Sequence, residues 1–400
     1  MPSRRDTFRI AVRKFAPFES TIAKQWASFC AATGCTLRLE AEALDLHPLH
    51  DTLFARQGLK TGAWDVAFIV TDWIAEAHAT HALLDLAPLI AAQPPADFPH
   101  GWTDSLLRFQ RFDKTILALP YHDGPECLIY RQDLFAAAGL TPPKTWDEFH
   151  ATARLLTKSS ASQYGTVFAA YPDGHNTVYD FCLQLWTRGG ELFDAAGRLH
   201  LATPAAEAAL AFYREILIDS SATHPRSREL DSVQSGFAFA RGEVAMMVNW
   251  FGFAAMGESL PESTVKGKVA VAPLPAAPGS SSASLNVYWT LGIGSGSPHA
   301  KIAYNFLRHC ASAENDKLLT LEGAIGCRKS TWHDADVNRV IPFYRELEKI
   351  HAHARELPRL AHWSELSAVI DRLVTAAADT DEPLRDLLLR AQQEANALTA

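Results

Sequence analysis

No Cys-x-x-Cys pair occurs among the six cysteines, Cys30, Cys35, Cys127, Cys182, Cys310 and Cys327. Most of them read as buried thiols, four lying inside apolar helix or strand patterns. A Cys30–Cys35 bridge stays open for an oxidising compartment, because spacing alone does not give the geometry that a disulfide demands. Lysine and arginine form no run, and the net charge of -8 is mild, so nucleic acid is excluded as a partner. The uncharged stretch 269–298 is broken by proline, serine and glycine, so it supplies no apolar helix of the roughly 20 residues a membrane span needs. Also missing are a Gly-x-Ser-x-Gly elbow, a phosphate-binding loop and a His-Glu-x-x-His motif. Gly292, Gly294 and Gly296 lack dinucleotide-motif spacing and read as strand-end turns. No repeat with a period of about 20–50 residues is present.

The N-terminus lacks the basic segment, apolar core and cleavage site of an export signal. Ser3, Arg4 and Arg5 superficially resemble a twin-arginine signal, but Arg9, Arg13 and Lys14 interrupt the apolar stretch that should follow. A processed or misassigned start, or residence in the cytoplasm, would each account for this.

What is present is enough chain for two cores: 400 residues, 48% hydrophobic, and 43.9 kDa lead us to expect two domains. Phe8–Val12, Thr21–Ala32 and Cys35–Ala41 read as strand, helix and strand, with Gly34 closing the helix. Asp65–Val70 is a further strand, and its VAFIV run, without polar alternation, suits a strand covered on both faces. Thr203-Pro204 and Ser297-Pro298 are N-cap and first-turn pairs. Ile302, Phe306 and Cys310 mark one buried helical stripe.

The densest segment is Ala118–Phe149, ALPYHDGPECLIYRQDLFAAAGLTPPKTWDEF. Cys127–Tyr130 form a buried strand after the turn-prone Asp123, Gly124 and Pro125. A helix follows through Leu134, Phe135 and Ala136–Ala138, and Gly139 closes it. Thr145 and Glu148 make a capping box that starts another helix at Trp146.

This segment resembles the extracellular solute-binding proteins of ABC transporters, in the family that includes carbohydrate and maltodextrin binders. Five other blocks follow in family order: WDVAFIVTDW (64–73), GGELFDAAGR (189–198), GEVAMMVNW (242–250), WTLGIG (289–294) and PRLAHWSEL (358–366). The resemblance implies an α/β, two-lobed periplasmic-binding-protein-like fold of type II. Each lobe is then a mixed, mostly parallel sheet flanked by helices, with a hinge of three crossings near 120–127, 286–288 and 325–331. Lobe one takes 1–122 plus 288–328, and lobe two takes 123–287 plus 329–400. The implied function is the substrate-binding component of an importer: a small solute, a mono- or oligosaccharide, is captured in the inter-lobe cleft by hinge closure and delivered to the permease. The resemblance further implies no catalysis, no cofactor and no metal, a monomer partnered by the ABC transporter permease subunits, and work in the periplasm or outside the cell.

Sugar binding needs flat apolar faces and planar polar groups, and strand ends are where open α/β sheets hold ligands. Asp72 and Trp73 follow the VAFIV strand, where the family places a hydroxyl-binding carboxylate; Asp72 also fits a helix N-cap. Tyr121, His122 and Asp123 lie at the first crossing. Asn249 and Trp250 follow the strand GEVAMMV, where relatives offer an amide and a stacking aromatic. Trp289 lies at the second crossing. Arg328, near the third, suits an acidic ligand group or a hinge salt bridge. Tyr171 and Phe15 complete the candidate set. Two other function classes remain to be weighed. A glycosidase would use two of Asp72, Asp123 and Glu126, and a metal receptor would draw on His47/His50, His78/His81 or His351/His353 among the 16 histidines.

Overall fold

The computed structural model describes residues 6–398, so the Ser3–Arg5 segment lies outside the described residues. Numbered along the chain, the strands are β1 (Thr7–Arg13), β2 (Arg38–Leu44), β3 (Val66–Val70), β4 (Arg111–Phe112), β5 (Thr115–Ile116), β6 (Ala118–His122), β7 (Glu126–Arg131), β8 (Tyr164–Val167), β9 (Val244–Trp250), β10 (Val269–Ala272), β11 (Ser284–Leu285), β12 (Trp289–Ile293) and β13 (Ala354–Arg355). The chain divides into two units. Unit 1 comprises the described residues up to Gly124, Val287–Glu348 and Leu357–Ala361. Unit 2 comprises Pro125–Asn286, Lys349–Glu356 and the described residues from His362.

Unit 1 carries a five-stranded sheet in the order β2-β1-β3-β12-β6. β1 runs parallel to β2 and β3, while β12 lies antiparallel between β3 and β6. All five β3 residues are buried, as a strand covered on both faces requires. Helix Ala16–Thr33 starts earlier than Thr21, with Pro17 in its first turn, and ends at Gly34, whose φ of 70° suits a residue without Cβ. It packs on β1 through Trp26, which stacks on Phe8 at 4.5 Å and meets Phe306 edge-on at 5.1 Å. The buried stripe of helix Ala300–Cys310 is Ala303, Phe306, Leu307 and Cys310, with Ile302 at its margin. That helix begins two residues beyond Pro298, and Ser297 Oγ donates to Asp65 Oδ1 while accepting from His299 N just ahead of the first turn.

Unit 2 carries a four-stranded sheet in the order β10-β7-β9-β8. Only β8 and β9 pair in parallel, since β7 runs against both its neighbours, β9 and β10. The expectation of a mostly parallel sheet is therefore corrected here: one reversed strand in the middle makes two of three pairings antiparallel. Gly165 in β8 lies so close to helix Trp146–Leu156 that an added Cβ would sit 1.9 Å from the Ala153 carbonyl oxygen. Thr145 caps that helix as the sequence predicts, accepting from Glu148 N at 3.1 Å while Glu148 reaches back to Thr145 N. Thr203 caps helix Pro204–Ile218 through Ala206 N. Every residue of helix Asn176–Trp186 is buried, enclosed by Pro204–Ile218 and Trp363–Asp379.

The third crossing falls after Glu348 rather than near 328, because helices Lys329–Trp332 and Ala335–Val340 pack on Ala313–Leu321 of unit 1. A short return, Leu357–Ala361, then rejoins unit 1. All six cysteines are free. Burial, and then the neighbouring Cys35, raise the Cys30 thiol.

Candidate functional site

In unit 1 the chemistry-bearing side chains gather at one edge of the sheet. The carboxyl ends of β1, β3 and β6 and the first residue of β12 share that edge, with Trp289 opposite Val70 on one side and His122 on the other. Chain direction therefore delivers Phe15, Asp72, Trp73, His122, Asp123 and Trp289 to one place. A chain of ring contacts runs across it: Phe15 to Phe18 at 5.0 Å, Phe18 to His122 at 4.9 Å, and Trp73 to Trp289 at 5.9 Å and 89°. Asp72 lies in the single helical turn Thr71–Trp73 and is buried, as is Asp123. Trp289 and Phe15 are half-exposed. His122 Nδ1 accepts from Ile325 N at 2.9 Å, which fixes the proton of the neutral ring on Nε2. Burial pushes its pKa down to about 4, against the opposing pull of Asp123.

In unit 2 the matching edge carries the start of β7, the end of β9 and the segment after β8. The register sets Glu126 opposite Trp250. Trp250 is half-exposed and meets Tyr179 edge-on at 5.6 Å. Asp180, next along the buried helix, accepts from Tyr213 Oη at 3.2 Å. Burial, and then the charge of Asp180, hold the Glu126 carboxyl well above the usual carboxylate range. Burial raises Asp180 as well, opposed by the Tyr213 hydroxyl. Glu126 Oε2 has no hydrogen-bond partner.

Three sequence-predicted residues are committed to the protein's own interior. Tyr121 is buried and donates its hydroxyl to Gln25 Oε1 at 3.0 Å. The Asn249 amide donates to Ser232 O and Ser235 Oγ and accepts from Trp250 N, so it ties β9 to helix Ser232–Ala240. Arg328 is 1% exposed. It donates to Ala96 O, Ala311 O and Asp97 Oδ2, and its guanidinium lies 4.5 Å over the Trp102 ring. Each of these side chains makes polar contacts within its own unit, through Gln25 for Tyr121, Ser232 and Ser235 for Asn249, and Ala96, Ala311 and Asp97 for Arg328, whose Nε alone has no partner among the described residues. Trp73 is buried too, and its role at the edge is to back Trp289. Tyr171 is exposed beyond β8. The residue that sequence reading missed is Asp180, although a signal was there: one carboxylate inside the apolar run VYDFCLQLW. Among the described residues no cluster of three or more His, Cys, Asp or Glu side chains is arranged to hold a metal ion.

The family model described as bacterial extracellular solute-binding protein matches residues 48–317. A Deinococcus radiodurans protein named "Probable ABC transporter-binding protein" is 26% identical over 332 residues, 80% of this chain and 76% of its own length. Among solved structures, an Agrobacterium radiobacter ABC transporter solute-binding protein in complex with ribitol superposes with a TM-score of 0.89 at 25% identity, over 98% of each chain. Maltose-bound MalE3 of T. maritima gives 0.87 at 25% identity, over 98% of this chain and 99% of that one.

Proposed function

Because this chain belongs to the bacterial extracellular solute-binding proteins, we propose that it captures a small polyhydroxylated solute and hands it to the permease of an ABC importer. In this reading it works as a monomer on the outer side of the membrane. The supporting observation is a combination repeated in each unit: a half-exposed tryptophan at a strand end beside buried carboxylates, Trp289 with Asp72 in unit 1 and Trp250 with Glu126 in unit 2. An indole face covers the C–H side of a sugar or polyol, and a carboxylate accepts from its hydroxyls. Capture and release need affinity, not bond breaking.

The test is a tryptophan-fluorescence titration of the full chain with ribitol, maltose and a panel of other sugars and polyols, with products checked for hydrolysis. Saturable binding is expected. Trp250→Ala should then lose about 2 kcal/mol, roughly thirtyfold in Kd, as removal of a central aromatic anchor does. A flat response across the panel, or turnover of a bound sugar, would overturn the reading.

A further inference from the structure

The unit 2 edge carries more buried carboxyl groups than a neutral sugar calls for. Glu126 is 4% exposed and Asp180 8% exposed, and among the described residues neither carboxyl is paired with a lysine, arginine or histidine. The guanidinium groups on neighbouring elements are engaged elsewhere. Arg355 is held bidentately by Glu191 and stacks on Trp186, while Arg228 pairs with Asp379. Asp173 adds a third carboxylate, but its oxygens already accept from His175 N, Asn176 N and Asn176 Nδ2. Asp180 has the Tyr213 hydroxyl. Glu126 has an orphan oxygen, Oε2, and a buried acceptor left unsatisfied is costly.

Two rings stand beside these carboxyls. Trp250 lies opposite Glu126 across the β7–β9 pair, and Tyr179, adjacent to Asp180, packs edge-on to it. Carboxylates beside indole and phenol rings are the surroundings that stabilise a desolvated ammonium, through charge-assisted hydrogen bonds and attraction to the ring faces. A protein cation would serve, but among the described residues none is paired with either carboxyl. A ligand can bring one.

Resting on the solute-binding reading above, we propose that Glu126 and Asp180, with Trp250 and Tyr179, form a subsite for a protonated amine carried by the hydroxylated ligand. In the empty protein the pair is relieved by holding a proton, which agrees with the upward direction of both carboxyls. The incoming ammonium takes over that role, and the proton leaves to solvent.

The test uses matched ligands on the full chain: D-glucosamine against D-glucose and N-acetyl-D-glucosamine, and 1-amino-1-deoxy-D-sorbitol against D-sorbitol. Each amine is expected to bind about tenfold or more tightly than its neutral counterpart, the size of one charge-assisted hydrogen bond. Acetylation should remove the advantage. Glu126→Gln, which keeps the shape of the side chain, should narrow the gap between amine and neutral ligand, and Asp180→Asn should do the same while keeping an acceptor for Tyr213. The comparison of amine with N-acetyl ligand needs no variant, so a misfolded mutant does not spoil it. Neutral sugars binding as tightly as amines would overturn this inference and leave the solute-binding reading standing. An amine preference that survives both substitutions would overturn it as well. Silence from every ligand, amine and neutral, would overturn both.

Discussion

Acidifying this protein should loosen unit 1 through one imidazole. His122 Nδ1 is an acceptor for Ile325 N–H, and protonation would set a donor against a donor. The folded ring holds its pKa near 4 against an ordinary 6.5, mainly through burial. Between those values the unfolded chain binds a proton that the folded chain refuses, so stability falls as pH falls from about 6.5 to about 4 and is fully present above that window. A difference of 2.5 units, 6.5 minus 4, corresponds to about 3 kcal/mol at most, and partial solvent access to the half-buried ring brings that nearer about 2. The assay is urea unfolding at pH 7.5 and pH 4.5 for the parent and for His122→Gln, whose amide oxygen can still accept from Ile325 N but does not titrate. Other groups contribute to acid sensitivity in both proteins, so the quantity of interest is the difference between them. The variant should lose about 2 kcal/mol less than the parent across that interval. Equal losses would refute the assignment of the neutral, accepting tautomer to His122.

Thr145→Ala removes one half of the capping box, so it should cost about 1 kcal/mol and lower Tm by about 2 °C; an unchanged melting curve would show the box to be ornamental. Arg328→Met strips donors from Ala96 O, Ala311 O and Asp97. It should therefore cost about 3 kcal/mol in urea unfolding, while ligand Kd, measured on the folded fraction, stays at the parent value; a weakened Kd without a stability loss would return Arg328 to the binding site.

The boundaries legible in the sequence are those decided locally. Thr145 and Glu148 stand three residues apart, and Gly139 closes its helix with a φ of 68° that most side chains avoid. The apolar run VAFIV announces a covered strand by composition alone. Placement was legible only as far as strand ends could be placed, which puts Asp72, Trp250 and Trp289 at sheet edges. For Arg328 the choice between a ligand contact and a salt bridge was not legible, because its carboxylate partner is 231 positions away, and the Gln25 partner of Tyr121 is 96 away. Ser297 looked like a helix cap but is drawn to Asp65, 232 residues earlier. Tertiary partners of this kind override a local preference at little energetic cost, since a cap is worth only about 1 kcal/mol.

The placement of β12 constrains the order in which the molecule can be built. It is the strand that joins β3 to β6, yet Thr290 bonds to Ile69 across 221 residues of chain, most of them belonging to unit 2. During synthesis β3 and β6 therefore emerge without their shared neighbour, and their apolar faces and open edges wait until the ribosome has passed residue 293. The first unit begun therefore stays open while most of unit 2 is made, and long-range strand pairing of this kind makes folding slow. A chain held in that interval is unfinished but still pliable, the condition in which a polypeptide can be threaded through a translocation pore before it locks.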